Sequence, residues 1–231
     1  MTLLAGRTAV ITGGASANGI GHATARVFAL NGARVAILDL PGTDPEGVAA
    51  KLGPEHLGFD CDVRDKEACS DCVDRIAETF GTIDVLIGNA GVVHGTPVLD
   101  ISPEEYDEVL EVNLRGNFHM AQAVIPHMRR NKGGSIVLMS SIAGQAGGGI
   151  FGRSHYAAAK SGIFGLAKAL ARELAPDQIR ANAIAPGVID NDFTKGRMTR
   201  EIKDDIAAQV PLGRLGTPED VANACLFLAS D

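Results

Sequence analysis

A chain of 231 residues, 45% hydrophobic and 21% charged, is long enough for one sizeable α/β domain with its own core. Its net charge of −7, with no basic run beyond Arg129, Arg130 and Lys132, argues against a nucleic-acid partner. No apolar run reaches the ~20 residues of a membrane span, and the N-terminus MTLLAGRTAVITGG lacks the charged-then-apolar order of a secretion signal. The expectation is a cytoplasmic protein with a small-molecule substrate and neither a membrane nor a nucleic-acid partner.

The first unit is a short β-rich run, Arg7 to Thr12, followed by a turn with Gly13, Gly14, Gly19 and Gly21. Ile20 to Asn31 reads as an amphipathic helix stopped by Gly32. Arg34 to Asp39 is the next strand. Strand, glycine turn, helix and strand are the context of a dinucleotide fingerprint, in which the glycines admit a pyrophosphate to the backbone and the helix N-terminus faces it. Asp39 ends the second strand, where a carboxylate can accept from both adenosine ribose hydroxyls and would repel a 2′-phosphate. That predicts NAD rather than NADP as the cofactor.

The alternation continues with a helix over Pro45 to Leu52, a strand over His56 to Asp60 and a helix over Asp65 to Phe80. A fourth strand, Ile83 to Gly88, runs into the turn Asn89-Ala90-Gly91. Pro103 to Arg130 reads as one long helix bent near Gly116 and Pro126. Ser135 to Ser140 is a fifth strand. Ser154 to Pro176 is a helix capped by Ser154 and ended by Pro176. Ile179 to Ala185 is a sixth strand, ending at Pro186-Gly187. Asn191 to Val210 is polar and predicts a mobile helical lid, and Pro218 to Ala229 a last helix. This order implies a single-domain, doubly wound parallel sheet of Rossmann type over residues 1–231. Its ligand belongs at the strand C-terminal ends, where Gly13, Asp39, Asn89, Ser141 and Pro186 all fall.

Cys69 and Cys72 form a C-x-x-C. Together with Val73, Ile76, Ala77 and Phe80 they follow the rhythm of one buried helix face, and no second pair completes a zinc site. Core cysteines, with no bound metal, are expected. Tyr156 and Lys160 are four residues apart on one helix face. A fixed ammonium there would lower the phenol pKa and suit Tyr156 to proton exchange with an alcohol or ketone.

These pieces, in this order, resemble the short-chain dehydrogenase/reductase family from Arg7 to Ala229. They are TGGASANGIG, Asp39, Asp62-Val63, NAG at Asn89–Gly91, VNLRGNF, LMSSIAG, YAAAK and Pro186-Gly187. The resemblance implies a catalytic set of Asn113, Ser141, Tyr156 and Lys160. Tyr156 would exchange the proton and Lys160 would tune it and hold the nicotinamide ribose. Ser141 would hold the substrate oxygen, and Asn113 would hold a relay water. It implies cofactor contacts from Gly13, Asn18, Gly19, Ile20, Gly21, Asp39, Asp62, Val63, Asn89, Ala90, Gly91, Tyr156, Lys160, Pro186 and Gly187. It also implies a homodimer or homotetramer, with the small residues Ala157–Ala159, Gly162 and Gly165 near the contact.

Several features depart from the family pattern. The glycine turn is about two residues longer, with Ala17-Asn18 the addition. Gly88 stands where an asparagine is usual. Gly147-Gly148-Gly149 lengthen the loop before Tyr156, and Asn191, with Thr194 close behind, stands where a threonine is usual. The last strand of the family pattern is absent. Either another chain covers the sheet edge or the sequence lacks its natural C-terminus, and the second is the expectation.

The resulting reading is an NAD-dependent oxidoreductase interconverting a secondary alcohol and a ketone, with a small polar or sugar-derived substrate. The alternatives are a 3-oxoacyl-acyl-carrier-protein-reductase-like ketoreductase and, in another class, a non-catalytic nicotinamide-nucleotide sensor. With no GxxxxGK[ST] loop, a nucleotide triphosphatase is not expected.

Overall fold

The computed structural model describes residues 2–149, 151–194 and 196–231. Among these, six strands make one all-parallel sheet: β1 (Thr8–Thr12), β2 (Arg34–Asp39), β3 (Leu57–Asp60), β4 (Val85–Gly88), β5 (Gly134–Met139) and β6 (Ile179–Ile184), in the order β3-β2-β1-β4-β5-β6. The chain winds outward from β1 to β3, then returns to the other side of β1 with β4. The order reverses between β1 and β4, and such a switch point opens a crevice at the strand ends.

The pleat divides the core in two. Val10, Ala36, Leu38, Leu86, Ile136 and Leu138 face α3 (Lys66–Phe80), α5 (Gly116–Arg130) and α7 (Ser154–Glu173). Ala9, Ile11, Val35, Ile37, Ile87 and Val137 face α1 (Ile20–Leu30), α2 (Pro45–Ala50) and α9 (Pro218–Ala229). Alternate residues on opposite faces is the period-2 geometry of a strand buried on both sides. Each fully buried Leu, Ile or Phe contributes about 1.5–3 kcal/mol. Cys61, Cys69 and Cys72 lie in the first layer as free thiols, and Cys225 lies in the second.

Local signals fix most element ends. The Asp65 carboxylate caps α3 by accepting from the N–H groups of Glu67 and Ala68, and Gly81 ends it at φ 84°. Thr217 and Asp220 cap α9 reciprocally.

Three expectations need correction. Ser154 does not cap α7: it is the first helical residue, Arg153 precedes it with no side-chain cap bond, and the α-helix ends at Glu173, before Pro176. A short 3₁₀ turn, Ala175–Asp177, contains that proline. The long helix is not one α-helix bent at two points. α4 (Pro103–Leu110) widens into a π-turn, Glu111–Arg115, before α5 continues through Pro126. The lid segment holds a 3₁₀ turn, Asp192–Thr194, and α8 (Arg200–Gln209), capped by Thr199. Between β5 and α7 lies the short α6 (Ala143–Ala146). β6 has β5 as its one neighbour among the described residues.

Candidate active site

The glycine turn rises from β1 against the end of β4. Gly13, at φ 68°, lies against Ala90, so a side chain there would strike backbone. Gly21 packs on the Gly13 carbonyl with equally little room. The extra residues Ala17-Asn18 form an exposed tip closed by the Gly19 N–H on the Ser16 carbonyl at 2.9 Å. Helix α1 starts at Ile20 with no side-chain cap and no acid in its first turn, leaving its N–H groups facing this turn. Asp39 anchors the turn: its carboxylate accepts from the N–H groups of Ala15 and Leu40, both at 2.8 Å. Each oxygen keeps a lone pair for a further donor.

The two central strands are joined by side chains. Asn89 Nδ2 donates to the carbonyls of Thr12 and Gly13 at 3.0 and 2.9 Å. Thr12 Oγ1 accepts from the N–H groups of Asn89 and Ala90. Thr12 was not singled out in the sequence, although its place before the glycine turn was a signal. Gly88 makes room for Asn117, whose Oδ1 occupies the space of any side chain at 88. Asn117 Nδ2 donates to the Asn113 carbonyl at 2.8 Å, so Asn117 ties down the π-turn. Beyond the end of β3, Asp62 is held in a fork by Arg64, which keeps its carboxyl below the usual carboxylate range. Val63 packs on Gly116.

Asn113, Ser141, Tyr156 and Lys160 converge beyond β4 and β5. Asn113 is fully buried, and its Nδ2 donates to the carbonyls of Val92 and Val109, both at 2.9 Å. Its Oδ1 has no partner and faces Gly91 together with Lys160 Nζ. A methyl built on Gly91 would lie 2.7 and 3.5 Å from the two atoms. Ser141 Oγ accepts from the Ala143 N–H at 3.1 Å, and Ser141 favours ionisation of the neighbouring Tyr156 phenol. Tyr156 packs beside Val109, Ala143 and Ala159, with Val92 and Val93 against them. Gly152 presses on the Tyr156 ring where any side chain would collide with it.

The electrostatics depart from expectation. Lys160 Nζ donates to the Met139 carbonyl at 2.8 Å and lies 5.7 Å from the Tyr156 ring centre. Burial pulls the Lys160 ammonium down to about 7. Burial pushes the Tyr156 phenol up to about 12, against the opposing Ser141 hydrogen bond. Desolvation of the charged form is thus the dominant influence on both groups in the protein alone, and it favours the neutral phenol.

The Pro186 carbonyl accepts from Ile142 N–H at 2.9 Å, while Gly187 is exposed. Asn191 Oδ1 is engaged by the Phe193 N–H at 3.0 Å. The buried Thr194 hydroxyl has no partner among the described residues. Two stacked imidazoles also went unforeseen. His155 Nε2 lies 3.0 Å from Glu105 Oε1, and His94 Nε2 lies 3.0 Å from Glu108 Oε2. Their residues are far apart in sequence and carry no spacing signal.

A parallel sheet with its glycine turn at the switch point, and a buried tyrosine and lysine beyond it, defines a nucleotide-dependent α/β oxidoreductase. The family described as enoyl-(acyl carrier protein) reductase matches residues 13–231. The chain is 48% identical to an uncharacterized short-chain type dehydrogenase/reductase, y4mP, of Sinorhizobium fredii, covering 99% of this chain and 92% of that protein. It is 39% identical to the 3-oxoacyl-[acyl-carrier-protein] reductase FabG of Thermotoga maritima, with the same coverage. It is 40% identical to an uncharacterized oxidoreductase, MT1393, of Mycobacterium tuberculosis, over 100% of this chain and 92% of that one. The chain belongs to the short-chain dehydrogenase/reductase family and is an oxidoreductase of alcohol and keto groups. Among the described residues, no helix is long and apolar enough to cross a membrane, and no cluster suited to a metal ion is present.

Proposed function

We propose that residues 1–231 are one dinucleotide-binding catalytic domain that interconverts a secondary alcohol and a ketone with NAD. The observation that carries this reading is the meeting of Asn113, Ser141, Tyr156 and Lys160 at the strand ends that also carry Gly13 and Asp39. A nicotinamide cofactor supplies hydride transfer at its ring when bound. The residues present fit one. Gly13 and Gly21 clear space for a pyrophosphate beside an uncapped helix. Asp39 keeps acceptor capacity for ribose hydroxyls. The unpartnered Thr194 hydroxyl suits a carboxamide, and the engaged Asn191 suits it less.

In ketone reduction Tyr156, neutral at working pH, gives its phenolic proton to the forming alkoxide, while Ser141 donates to the same oxygen and orients it. Lys160, near 7, restores the proton. Asn113 Oδ1, facing the same space as Lys160 Nζ, accepts from a water that links the lysine to solvent. Alcohol oxidation runs the same path backwards. The substrate is a small polar or sugar-derived alcohol. The FabG relatives support a second reading, a ketoreductase for acyl-carrier-bound 3-oxo groups. The four free cysteines suit a reducing, cytoplasmic setting. A homodimer or homotetramer would use the open surface at Ala158 and Gly165.

Fluorescence titration with NADH and NADPH, followed by turnover assays on secondary alcohols, tests the reading. NADH preference and turnover lost in Tyr156→Phe support it. NADPH preference overturns the role of Asp39 and moves 3-oxoacyl reduction ahead. Binding with no turnover of any alcohol or ketone favours the sensor.

A further inference from the structure

Arg197 stands at the rim of the Tyr156 site without a carboxylate partner. Its Nε donates to the Thr194 carbonyl at 3.0 Å and its Nη2 to the Val93 carbonyl at 3.2 Å. Three residues around it locate it relative to Tyr156. Phe193, from the same segment, has its ring centre 6.4 Å from that of Tyr156. Val93 packs against the cluster that holds Tyr156. The guanidinium carbon lies 5.9 Å from the Phe151 ring centre, and Phe151 adjoins Gly152, which presses on the Tyr156 ring. A guanidinium has five N–H donors, and two are in use, so three remain. No acidic group lies within ion-pair distance of Arg197 among the described residues. Two carboxylates of the flanking elements are engaged elsewhere, Asp190 by Lys203 at 2.7 Å and Glu108 by His94 at 3.0 Å.

A second cation belongs to the loop that carries Phe151 and Gly152. Arg153, likewise without an acidic partner, lines a cavity of about 490 Å³ with Gly147, Gly148, Gly149, Gly152 and Ser154. Arg153 and Arg197, neither with an acidic partner among the described residues, are thus both associated with the loop that carries Phe151 and Gly152, in a chain of net charge −7.

We propose that the substrate is an anion: a hydroxy acid or keto acid whose carboxylate is bound by Arg197, with Arg153 adding to the attraction, while its carbinol or carbonyl carbon lies at Tyr156. Backbone carbonyls hold the fork in place before substrate arrives, so little side-chain freedom is lost on binding. The proposal rests on the alcohol–ketone reading above and narrows it, favouring free acids over thioesters or neutral sugars.

The test compares a charged ligand with a neutral isostere. The protein, saturated with NADH, is titrated with butanoate and with butanamide, read by NADH fluorescence. Arg197→Gln keeps a donor for the Val93 carbonyl but removes the charge. Expected are butanoate binding at least about tenfold tighter than butanamide, loss of that preference in Arg197→Gln, and unchanged butanamide affinity there. Equal binding of the two ligands by the native protein, or a preference that survives Arg197→Gln, overturns the proposal. An equal fall for both ligands also overturns it, because the arginine would then only latch the segment. Turnover of 3-oxobutanoate and its methyl ester is measured alongside. A higher KM for the acid alone in Arg197→Gln, with kcat kept, supports the proposal. No turnover of either counts against 3-oxo acids as the reacting pair, while the binding comparison still decides the anion site.

Discussion

Lys160 donates its ammonium hydrogen bond to the Met139 carbonyl at 2.8 Å and not to the phenol of Tyr156, although the two side chains share one face of α7. Strand β5 therefore holds the lysine in place, and its charge reaches the site from a buried position. Burial keeps it titrating near 7.

This predicts a pH signature in stability. The Lys160 pKa is lowered on folding from 10.5 to about 7, so the unfolded chain binds more protons between those values. Stability should rise with pH across that window, with the burial penalty fully present below about 7. The phenol, raised from 10.0 to about 12, opposes this only above pH 10. Denaturant midpoints measured from pH 6 to 9.5 should climb, and Lys160→Met should flatten the climb (pH range roughly that of the shift).

Tyr156→Phe should leave nucleotide affinity within about twofold and lower kcat by roughly 10²–10⁴, the range for loss of a general acid. Stopped-flow turnover and NADH titration on the same sample separate the two effects. A small loss in kcat would place proton transfer elsewhere.

Asp39→Ala removes the acceptor for the Ala15 and Leu40 N–H groups. NADH should bind about ten- to a hundredfold more weakly, the loss expected for hydrogen bonds to a charged group, while NADPH should lose less. The ratio of the two dissociation constants, measured by fluorescence, checks it.

Gly88 and Asn117 occupy one space. Gly88→Ala should destabilise the protein by about 1–3 kcal/mol through overpacking. In an Asn117→Ala background the same change should cost less, a non-additivity visible in a double-mutant cycle of denaturant unfolding. Additive losses would mean that the side chains do not compete.

Thr194→Val replaces a buried hydroxyl that has no partner. Stability should hold or improve slightly, since an unsatisfied polar group is removed. Nucleotide affinity should drop several-fold if that hydroxyl serves the carboxamide, and thermal melting with and without NADH reads both at once.

Much of this was legible in the chain. Strand–helix alternation gave the sheet, because each run of Val, Ile and Leu was short, bounded by Gly or Pro and followed by a helical period. Gly13, Asp39, Ser141, Tyr156 and Lys160 fell at strand ends or on one helix face, positions that local periodicity specifies. The π-turn at Asn113 was not legible: its extra residue is held by Asn117 and by the Val92 and Val109 carbonyls, and Val92 lies in a loop distant in sequence. The direction of the Tyr156 and Lys160 shifts escaped for a related reason. The i, i+4 spacing shows that two groups are neighbours, while desolvation depends on everything packed around them. Arg197 meets Val93 across 104 residues, which no window of sequence contains.

Thr12 and Asn89 lock the glycine turn to the end of β4, whereas the rim is built from loop residues at 147–149, 151–153, 191–194 and 196–199. The two regions should therefore tolerate descent differently. Replacements at Phe151, Arg153, Phe193 or Arg197 can redirect which molecule is accepted while leaving the hydride apparatus as it stands. A change of nucleotide must pass through Asp39 at the end of β2, whose carboxylate also holds the Ala15 N–H of the glycine turn. Lineages sharing this scaffold are expected to diverge in diet sooner than in cofactor, and a laboratory selection for new substrates is best aimed at those four rim positions.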